Sequence, residues 1–272
     1  MTTPLLVQSY MEFCRYRSNA KLNKVIDLSE ARWFYPATLL PLASFLEQTK
    51  GIRLIMPKNN DTYNYFSLIT GEQSAERSDS FIPIIKAKRL NEGYIDKIYA
   101  AMASQENKKD IAQSLKYVMG ELVDNIDQHS KCNFSVFMAQ NYKKKRFLEA
   151  AFFDDGITIP GSFKEANMEG KGDKANKSDT EYIEDAISGV STKPEDDRGH
   201  GLPSTIKILK DMHSDIFIIS GKGGIYINGT GKYMDGNILY NADEYSELKG
   251  TLIAFQIMHP INGVNIYKEG YL

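Results

Sequence analysis

The chain has 272 residues, of which 42% are hydrophobic and 11% aromatic, so it can bury the cores of two modest domains. It carries 33 Lys and Arg against 35 Asp and Glu, for a net charge of −2. A protein that binds phosphate backbones usually carries a positive field, so this balance argues against nucleic acid as a partner.

Cysteine usage and hydropathy point to the cytoplasm. Cys14 and Cys132 are too few for a metal cluster or a disulfide framework, which fits a reducing compartment. The N-terminal stretch lacks a basic run followed by a long apolar one, and no run of about 18 apolar residues occurs. The sequence therefore predicts a cytoplasmic protein with no membrane association.

The N-terminal third begins with a strand-helix-strand pattern. Residues 22–29 are rich in strand formers, residues 39–45 have helical apolar spacing, and residues 51–56 form a second strand-like run before Pro57. This order predicts a small α/β unit. The segment resembles a STAS domain, the family that includes anti-sigma-factor antagonists, and the resemblance implies a recognition domain over residues 1–90.

The remaining two thirds alternate helical and strand patterns. Residues 133–140 and 146–154 predict two strands, joined by a basic turn that we interpret as a solvated hairpin tip. The polar, glycine-rich residues 161–180 predict a mobile loop. A short helix near 181–188, a helix from Leu202, and strands at 215–220, 224–228 and 251–258 follow. An amphipathic helix precedes them, with an apolar stripe formed by Ile111, Leu115, Val118, Leu122 and Ile126.

Three polar residues recur every fourth position on that amphipathic helix. Glu121, Asn125 and His129 therefore share one face, turned away from the apolar stripe. An asparagine carbonyl suits Mg²⁺, and a glutamate one turn earlier can orient or deprotonate an attacking water or hydroxyl. The alternative for this spacing alone is a plain exposed helix face. His129 either contacts phosphate or simply ends the helix.

A second motif, Asp-Asp-Gly-Ile-Thr from Asp154 to Thr158, follows an apolar strand. A carboxylate at a strand end can accept a hydrogen bond from the amine of adenine, and Gly156 lets the backbone pass close to the base. The alternative is a hairpin turn, because Asp-Gly is also a strong turn signal.

Two glycine-containing motifs complete the series. Arg-Gly-His-Gly-Leu-Pro, from Arg198 to Pro203, opens a helix whose free amides can face an anion. Residues 161–197 then form a candidate lid, with Lys193 as a phosphate contact. The pair Gly250 and Thr251 enters the last strand. A further glycine run at 221–224 lacks the phosphate-loop spacing and predicts a hairpin turn.

In this order, the four motifs resemble the N box and the glycine or threonine boxes of the GHKL ATPases, which include gyrase and sensor histidine kinases. The resemblance implies an α+β protein with a Bergerat-type two-layer α/β sandwich, a mixed sheet packed on helices, over residues 91–272. It also implies ATP and Mg²⁺ as cofactors, with Glu121 as catalytic base and Asn125 as the metal ligand. The nucleotide contacts it implies are Asn125, His129, Asp154, Gly156, Thr158, Lys193, Arg198, Gly199, His200, Gly201, Leu202 and Thr251. The family pattern has a second glycine where this chain has Thr158.

The arrangement of the motifs narrows the class within the superfamily. Only 21 residues follow Thr251, so the further domain of gyrase-like and chaperone ATPases is not expected. No histidine precedes the N box, so a self-phosphorylating histidine kinase is not expected either. Two hypotheses remain: an ATPase or serine/threonine protein kinase resembling the anti-sigma-factor kinases, and an ATP-gated interaction switch.

We expect a protein partner, as a regulator or as the phosphoryl acceptor, and a homodimer is compatible with either hypothesis, while water remains an alternative acceptor. In phosphorylatable STAS domains the acceptor lies where this chain has Pro36 and Ala37, and neither has a hydroxyl. Thr38 is displaced from that position. We therefore predict that residues 1–90 are not phosphorylated in cis and form a docking or dimerising surface.

Overall fold

The computed structural model describes residues 3–70, 80–87, 108–166, 177–190, 201–231, 236–261 and 263–267. The fold is mixed α+β, as predicted, with a large antiparallel sheet at its centre. Across the described ranges, no helix is both long enough and apolar enough to cross a bilayer.

Helices and strands alternate along most of the chain. The described helices are α1 (Leu5–Asn23), α2 (Pro36–Gln48), α3 (Asn60–Ile69), α4 (Lys108–Asn125), α5 (Ile159–Glu165), α6 (Asp179–Ile187) and α7 (Gly201–Asp211). The strands are β1 (Val25–Asp27), β2 (Arg53–Ile55), β3 (Phe81–Lys86), β4 (Ser135–Tyr142), β5 (Phe147–Asp154), β6 (Ser214–Gly221), β7 (Gly223–Ile227), β8 (Asn237–Asn241) and β9 (Leu248–Met258). A π-helical turn, Ile126–Ser130, continues α4.

The main sheet has the strand order β3-β4-β5-β9-β6-β7-β8, and every neighbouring pair is antiparallel. The prediction of a mixed sheet was therefore wrong. Short connections join β4 to β5 and β6 to β7, and short connections of this kind produce antiparallel neighbours. The last strand, β9, lies between β5 and β6 and is antiparallel to both. A separate parallel pair, β1 and β2, flanks α2 in sequence and confirms the predicted strand-helix-strand unit.

Helices cover both faces of the main sheet. On one face α4 and α7 pack their apolar sides, and the predicted stripe from Ile111 to Ile126 is buried there. On the opposite face, apolar residues of α1, α2 and α3 form a second core with alternate residues of the strands. The predicted boundary near residue 90 lies outside the described residues, but β3, on its N-terminal side, pairs with β4.

A buried carboxyl group joins the N-terminal helices to the middle of the sheet. Glu149 of β5 is fully buried, and its Oε2 accepts a hydrogen bond of 2.8 Å from Nε2 of Gln256 on β9. Its Oε1 accepts a 3.3 Å bond from the backbone N–H of Ala37, in the first turn of α2. Burial raises the pKa of Glu149 to about 7, against the lowering effect of these two bonds. The contact between the two layers therefore has a polar centre inside apolar surroundings.

Two further sequence predictions concern residues near this contact. Thr38 is fully buried in the first turn of α2, and its Oγ1 donates a 2.8 Å hydrogen bond to the carbonyl oxygen of Ser9. It is thus a packing residue, although phosphorylation of residues 1–90 stays untested. The basic turn, Lys143–Lys145 with Arg146, is exposed, which confirms the solvated hairpin tip.

Candidate functional site

The helix that carries the first motif ends in the π-helical turn, directly before β4. Glu121 and Asn125 are half-buried on α4, and the structure describes only the backbone of His129. The Nδ2 atom of Asn125 is buried and has no hydrogen-bond partner among the described residues. A buried donor without a partner carries a desolvation penalty of about 1–3 kcal/mol, so it marks a position where a ligand or water would stabilise the protein.

The second motif places a carboxyl group in a dry position at the end of β5. The side chain of Asp154 is buried, and its Oδ1 accepts a 2.9 Å hydrogen bond from the backbone N–H of Gly156. Burial raises the pKa of Asp154 to about 7; the Gly156 bond lowers it and the nearby charge of Asp155 raises it. The side chain is therefore held in place, and burial brings its pKa much closer to neutral pH than that of an exposed aspartate.

Gly156 brings the second motif against the end of the first. A Cβ added at Gly156 would lie 2.0 Å from the carbonyl oxygen of Ser130, the last residue of the π-helical turn. The next residue, Ile157, donates a 2.8 Å backbone hydrogen bond to the same oxygen. Only glycine permits this approach, so the helix bearing Asn125 and the loop bearing Asp154 are joined.

Thr158 lies where the family pattern has its second glycine, and its backbone adopts a glycine-like conformation. Its φ is 71° and its ψ is 157°, a region that residues other than glycine rarely occupy. Its Oγ1 accepts a 3.0 Å hydrogen bond from Gly161 N and caps the start of α5. Thr158 is therefore a strained residue that also caps a helix.

We expect Thr158→Gly to be more stable than Thr158→Ala by about 1–2 kcal/mol. Both substitutions remove the cap. Alanine retains the backbone strain and glycine relieves it, and the larger conformational entropy of glycine in the unfolded state reduces the difference between the two variants. Urea unfolding of the two variants measures this difference. Equal stability would show that the backbone at this position is not strained.

The fourth motif lies beside Asp154 in the sheet. Thr251 of β9 is the register partner of Asp154 on β5 and of Ser220 on β6. The hydroxyls of Thr251 and Ser220 are 2.8 Å apart, and Ser220 Oγ accepts a 2.8 Å bond from Ile159 N at the start of α5. At Gly250, φ is 105° and an added Cβ would lie 1.9 Å from the carbonyl oxygen of Asp154. The second and fourth motifs are thus in direct contact.

The structure describes the third motif only from Gly201 onward, because Lys193, Arg198, Gly199 and His200 lie outside the described residues. Gly201 begins α7 with a φ of 46°, and Leu202 packs against the core that α4 and α7 share. Tyr117, one turn before Glu121 on α4, interacts with both Glu121 and Ser204 of α7. Burial, followed by the charge of Glu121, raises the pKa of Tyr117. Glu121 therefore lies on the side of α4 that faces the start of α7.

The predicted mobile loop and lid need correction where the structure describes them. Residues 161–165 belong to α5, because Thr158 caps this helix and Pro160 is accommodated in its first turn. Helix α6 is fixed to the sheet edge: Thr180 Oγ1 donates to the carbonyl oxygen of Tyr240 at 2.8 Å, and Lys222 N donates to Asp179 Oδ2 at 2.9 Å. Two other parts of the predicted lid, 167–176 and 191–197, lie outside the described residues. The glycine run at 221–224 is the predicted hairpin turn.

Three residues of the site escaped the sequence analysis. The carbonyl oxygen of Ser130 accepts a hydrogen bond from the loop of Gly156, and Ser220 forms hydrogen bonds with Thr251 and with the start of α5. Asp155 accepts hydrogen bonds from the two residues before β4. Only Asp155 had a visible signal, as the second carboxylate of Asp-Asp-Gly. Within the part of the chain that the structure describes, no group of three or more His, Cys, Asp or Glu residues could hold a metal ion.

Comparison of the chain with protein-family models, with curated proteins and with solved structures gave no match.

Proposed function

We propose that this chain is an ATP-binding regulatory protein of the histidine-kinase-like ATPase class, with a Bergerat-type sandwich formed by the main sheet, α4 and α7. One observation carries the proposal. Asp154 lies where three motifs meet: its buried carboxyl accepts a hydrogen bond from Gly156 N–H, and its backbone contacts Gly250 and pairs with Thr251. The Gly156 loop in turn contacts the end of the helix that bears Glu121 and Asn125.

The residues present fit Mg-ATP. The Asp154 carboxylate is an acceptor for the amine of adenine, and Gly156 holds the loop of Asp154 against the end of the helix that bears Asn125. Asn125 would supply a neutral oxygen to Mg²⁺, and its buried Nδ2, which has no partner among the described residues, would donate to a phosphate oxygen. Bound Mg-ATP would supply a transferable phosphoryl group, and Glu121 would orient or deprotonate the accepting hydroxyl or water.

The proposed activity is weak ATP hydrolysis or phosphoryl transfer to a serine or threonine of a partner protein. Glu121 favours such chemistry over binding alone. The alternative is an ATP-gated interaction switch without significant transfer, and the N-terminal helical layer favours it, because that layer contacts the sheet directly and offers a partner-binding region linked to the nucleotide site.

Isothermal titration calorimetry with Mg-ATP tests the site. We expect Asn125→Ala to weaken Mg²⁺-dependent binding by at least about tenfold, because the metal loses its protein ligand. Asn64→Ala, at an exposed position of α3, is the matched control and should bind like the parent. Unchanged Mg-ATP affinity in Asn125→Ala would contradict the proposed metal ligand, and no binding by the parent protein would contradict the proposed function.

The raised pKa of Asp154 predicts that nucleotide affinity depends on pH. Only the ionised carboxylate accepts a hydrogen bond at both oxygens, so with a pKa of about 7 the affinity for Mg-ADP should be roughly tenfold higher at pH 8 than at pH 6. Asp154→Asn should bind more weakly at pH 8 and lose most of this dependence. Asp61→Asn, an exposed change on α3, should keep it. The same pH profile in Asp154→Asn as in the parent would exclude Asp154 as the titrating group.

A further inference from the structure

Asp155 lies between the proposed adenine ligand Asp154 and Gly156, yet its side chain points to a different part of the protein. Its Oδ1 accepts hydrogen bonds from the backbone N–H groups of Asn133, at 3.0 Å, and Phe134, at 2.9 Å. Its own N–H donates a 3.0 Å bond to the carbonyl oxygen of Phe134. One side chain thus attaches the loop after β5 to the segment that enters β4.

The second carboxylate oxygen of Asp155 binds the N-terminal helical layer. Its Oδ2 accepts a 2.8 Å hydrogen bond from Nε2 of Gln48, the last residue of α2. The same Nε2 donates a 3.1 Å bond to Ser44 Oγ, one turn earlier, which orients the amide toward the loop. Both ends of α2 therefore form hydrogen bonds with β5 or the loop after it. The first turn of α2 binds Glu149 of β5, and its last residue binds Asp155 in that loop.

We propose that Asp155 is a positioning residue for the adenine-binding loop, and that Gln48 makes α2 part of this support, so that nucleotide affinity depends on the N-terminal helical layer. The inference rests on the proposed function, because it assumes that Asp154 binds adenine. Asp155 does not contact the nucleotide; it fixes the backbone on either side of the residue that does. By linkage, nucleotide binding stabilises the packing of the end of α2 by the same factor.

The position of Asp155 gives the effect a distinct signature. The support acts at the adenine end of the site, so its loss should weaken ATP, ADP and AMP by the same factor. A defect at the Mg²⁺ or γ-phosphate end would instead change the ratio of ATP to AMP affinity. Asparagine should restore function at this position, because its Oδ1 still accepts from both backbone amides and its Nδ2 can donate to a rotated Gln48 amide.

The test measures the affinity of five full-length proteins for ATP, ADP and AMP by calorimetry at pH 8.5, where Asp154 is ionised in all of them. The proteins are the parent, Asp155→Ala, Asp155→Asn, Gln48→Ala and Glu47→Ala, the last being an exposed control next to Gln48. We expect Asp155→Ala to weaken all three nucleotides by about tenfold or more, and Asp155→Asn to stay within about threefold of the parent. Gln48→Ala should weaken binding by about two- to fivefold, since its bond is exposed, and Glu47→Ala should not change it.

Several outcomes would overturn the proposal. Parent-like affinity in Asp155→Ala, or equal weakness in Asp155→Asn and Asp155→Ala, would exclude positioning by hydrogen bonds. Parent-like affinity in Gln48→Ala would exclude the role of α2.

Absence of nucleotide binding in the parent would instead count against the proposed function. Hydrogen exchange would then test whether Asp155 fixes the backbone around it. We expect the amides of Asn133 and Phe134 to exchange faster in Asp155→Ala but not in Asp155→Asn. Unchanged exchange in both variants would overturn this role of Asp155.

Discussion

Gly250→Ala is expected to destabilise the fold by about 4 kcal/mol or more, a loss large enough to leave little native protein. Two penalties combine at this residue. Its φ of 105° is strained for any residue with a side chain, and the new Cβ would overlap the backbone, 1.9 Å from Asp154 O and 2.8 Å from Asp155 Cα. Both contacts are with backbone atoms of a paired strand end, which cannot move aside without breaking the pairing of β5 with β9.

Gly120→Ala is the matched control for this substitution. Gly120 lies within α4 with nothing near its added Cβ, so alanine should stabilise the protein by about 0.5–1 kcal/mol through helix propensity and unfolded-state entropy. Urea unfolding followed by circular dichroism compares both variants with the parent. A loss below about 1 kcal/mol in Gly250→Ala would show that the loop after β5 can move away from β9.

The second large effect is expected in turnover. Glu121→Ala should lower the rate of phosphate release or phosphoryl transfer by about 10²-fold or more, the usual contribution of a positioned general base. Nucleotide affinity should change little, because Glu121 is proposed to act on the attacking group and not on the nucleotide. The measurement is the fate of labelled phosphate from Mg-ATP, as free phosphate or on protein, with calorimetry for the affinity.

Asp124→Ala is the control for Glu121→Ala, because Asp124 is an exposed acidic residue on the same helix. It should leave both rate and affinity unchanged. Equal turnover in Glu121→Ala and the parent would show that Glu121 is not a catalytic base and has only its structural contact with Tyr117. A parent protein that binds Mg-ATP but releases and transfers no phosphate would favour the interaction switch.

The elements with a clear local period were predictable from the sequence. The stripe from Ile111 to Ile126 is buried on α4, and the runs before Asp154 and after Gly250 are the central strands β5 and β9. The motif order does not specify that these two strands are antiparallel neighbours, and on such neighbours a strand-end carboxyl and a strand-entering threonine fall opposite each other. Asp154 and Thr251 are register partners for this reason.

Other features depend on contacts between distant segments and had no local signal. Helix α1 contains the buried residue Arg17, whose Nη1 donates a 2.6 Å hydrogen bond to the carbonyl oxygen of Glu247, 230 positions later. A cationic side chain in a helix usually predicts an exposed position, so the sequence of α1 does not indicate that the face with Arg17 is buried. The same holds for Gln48 and Asp155, which are 107 positions apart. The antiparallel pairing of β9 with both β5 and β6 depends on its position between them, which periodicity does not specify.

The second core has a practical consequence for producing the proposed nucleotide-binding part alone. Val136, Met138 and Phe153 lie on the sheet face that α1, α2 and α3 cover, and Glu149 takes one of its hydrogen bonds from α2. A recombinant fragment starting at residue 108 would expose this apolar face to water and leave the buried carboxyl of Glu149 without its backbone donor. We expect such a fragment to aggregate during purification, so inhibitor screening or crystallisation should begin with the full-length chain.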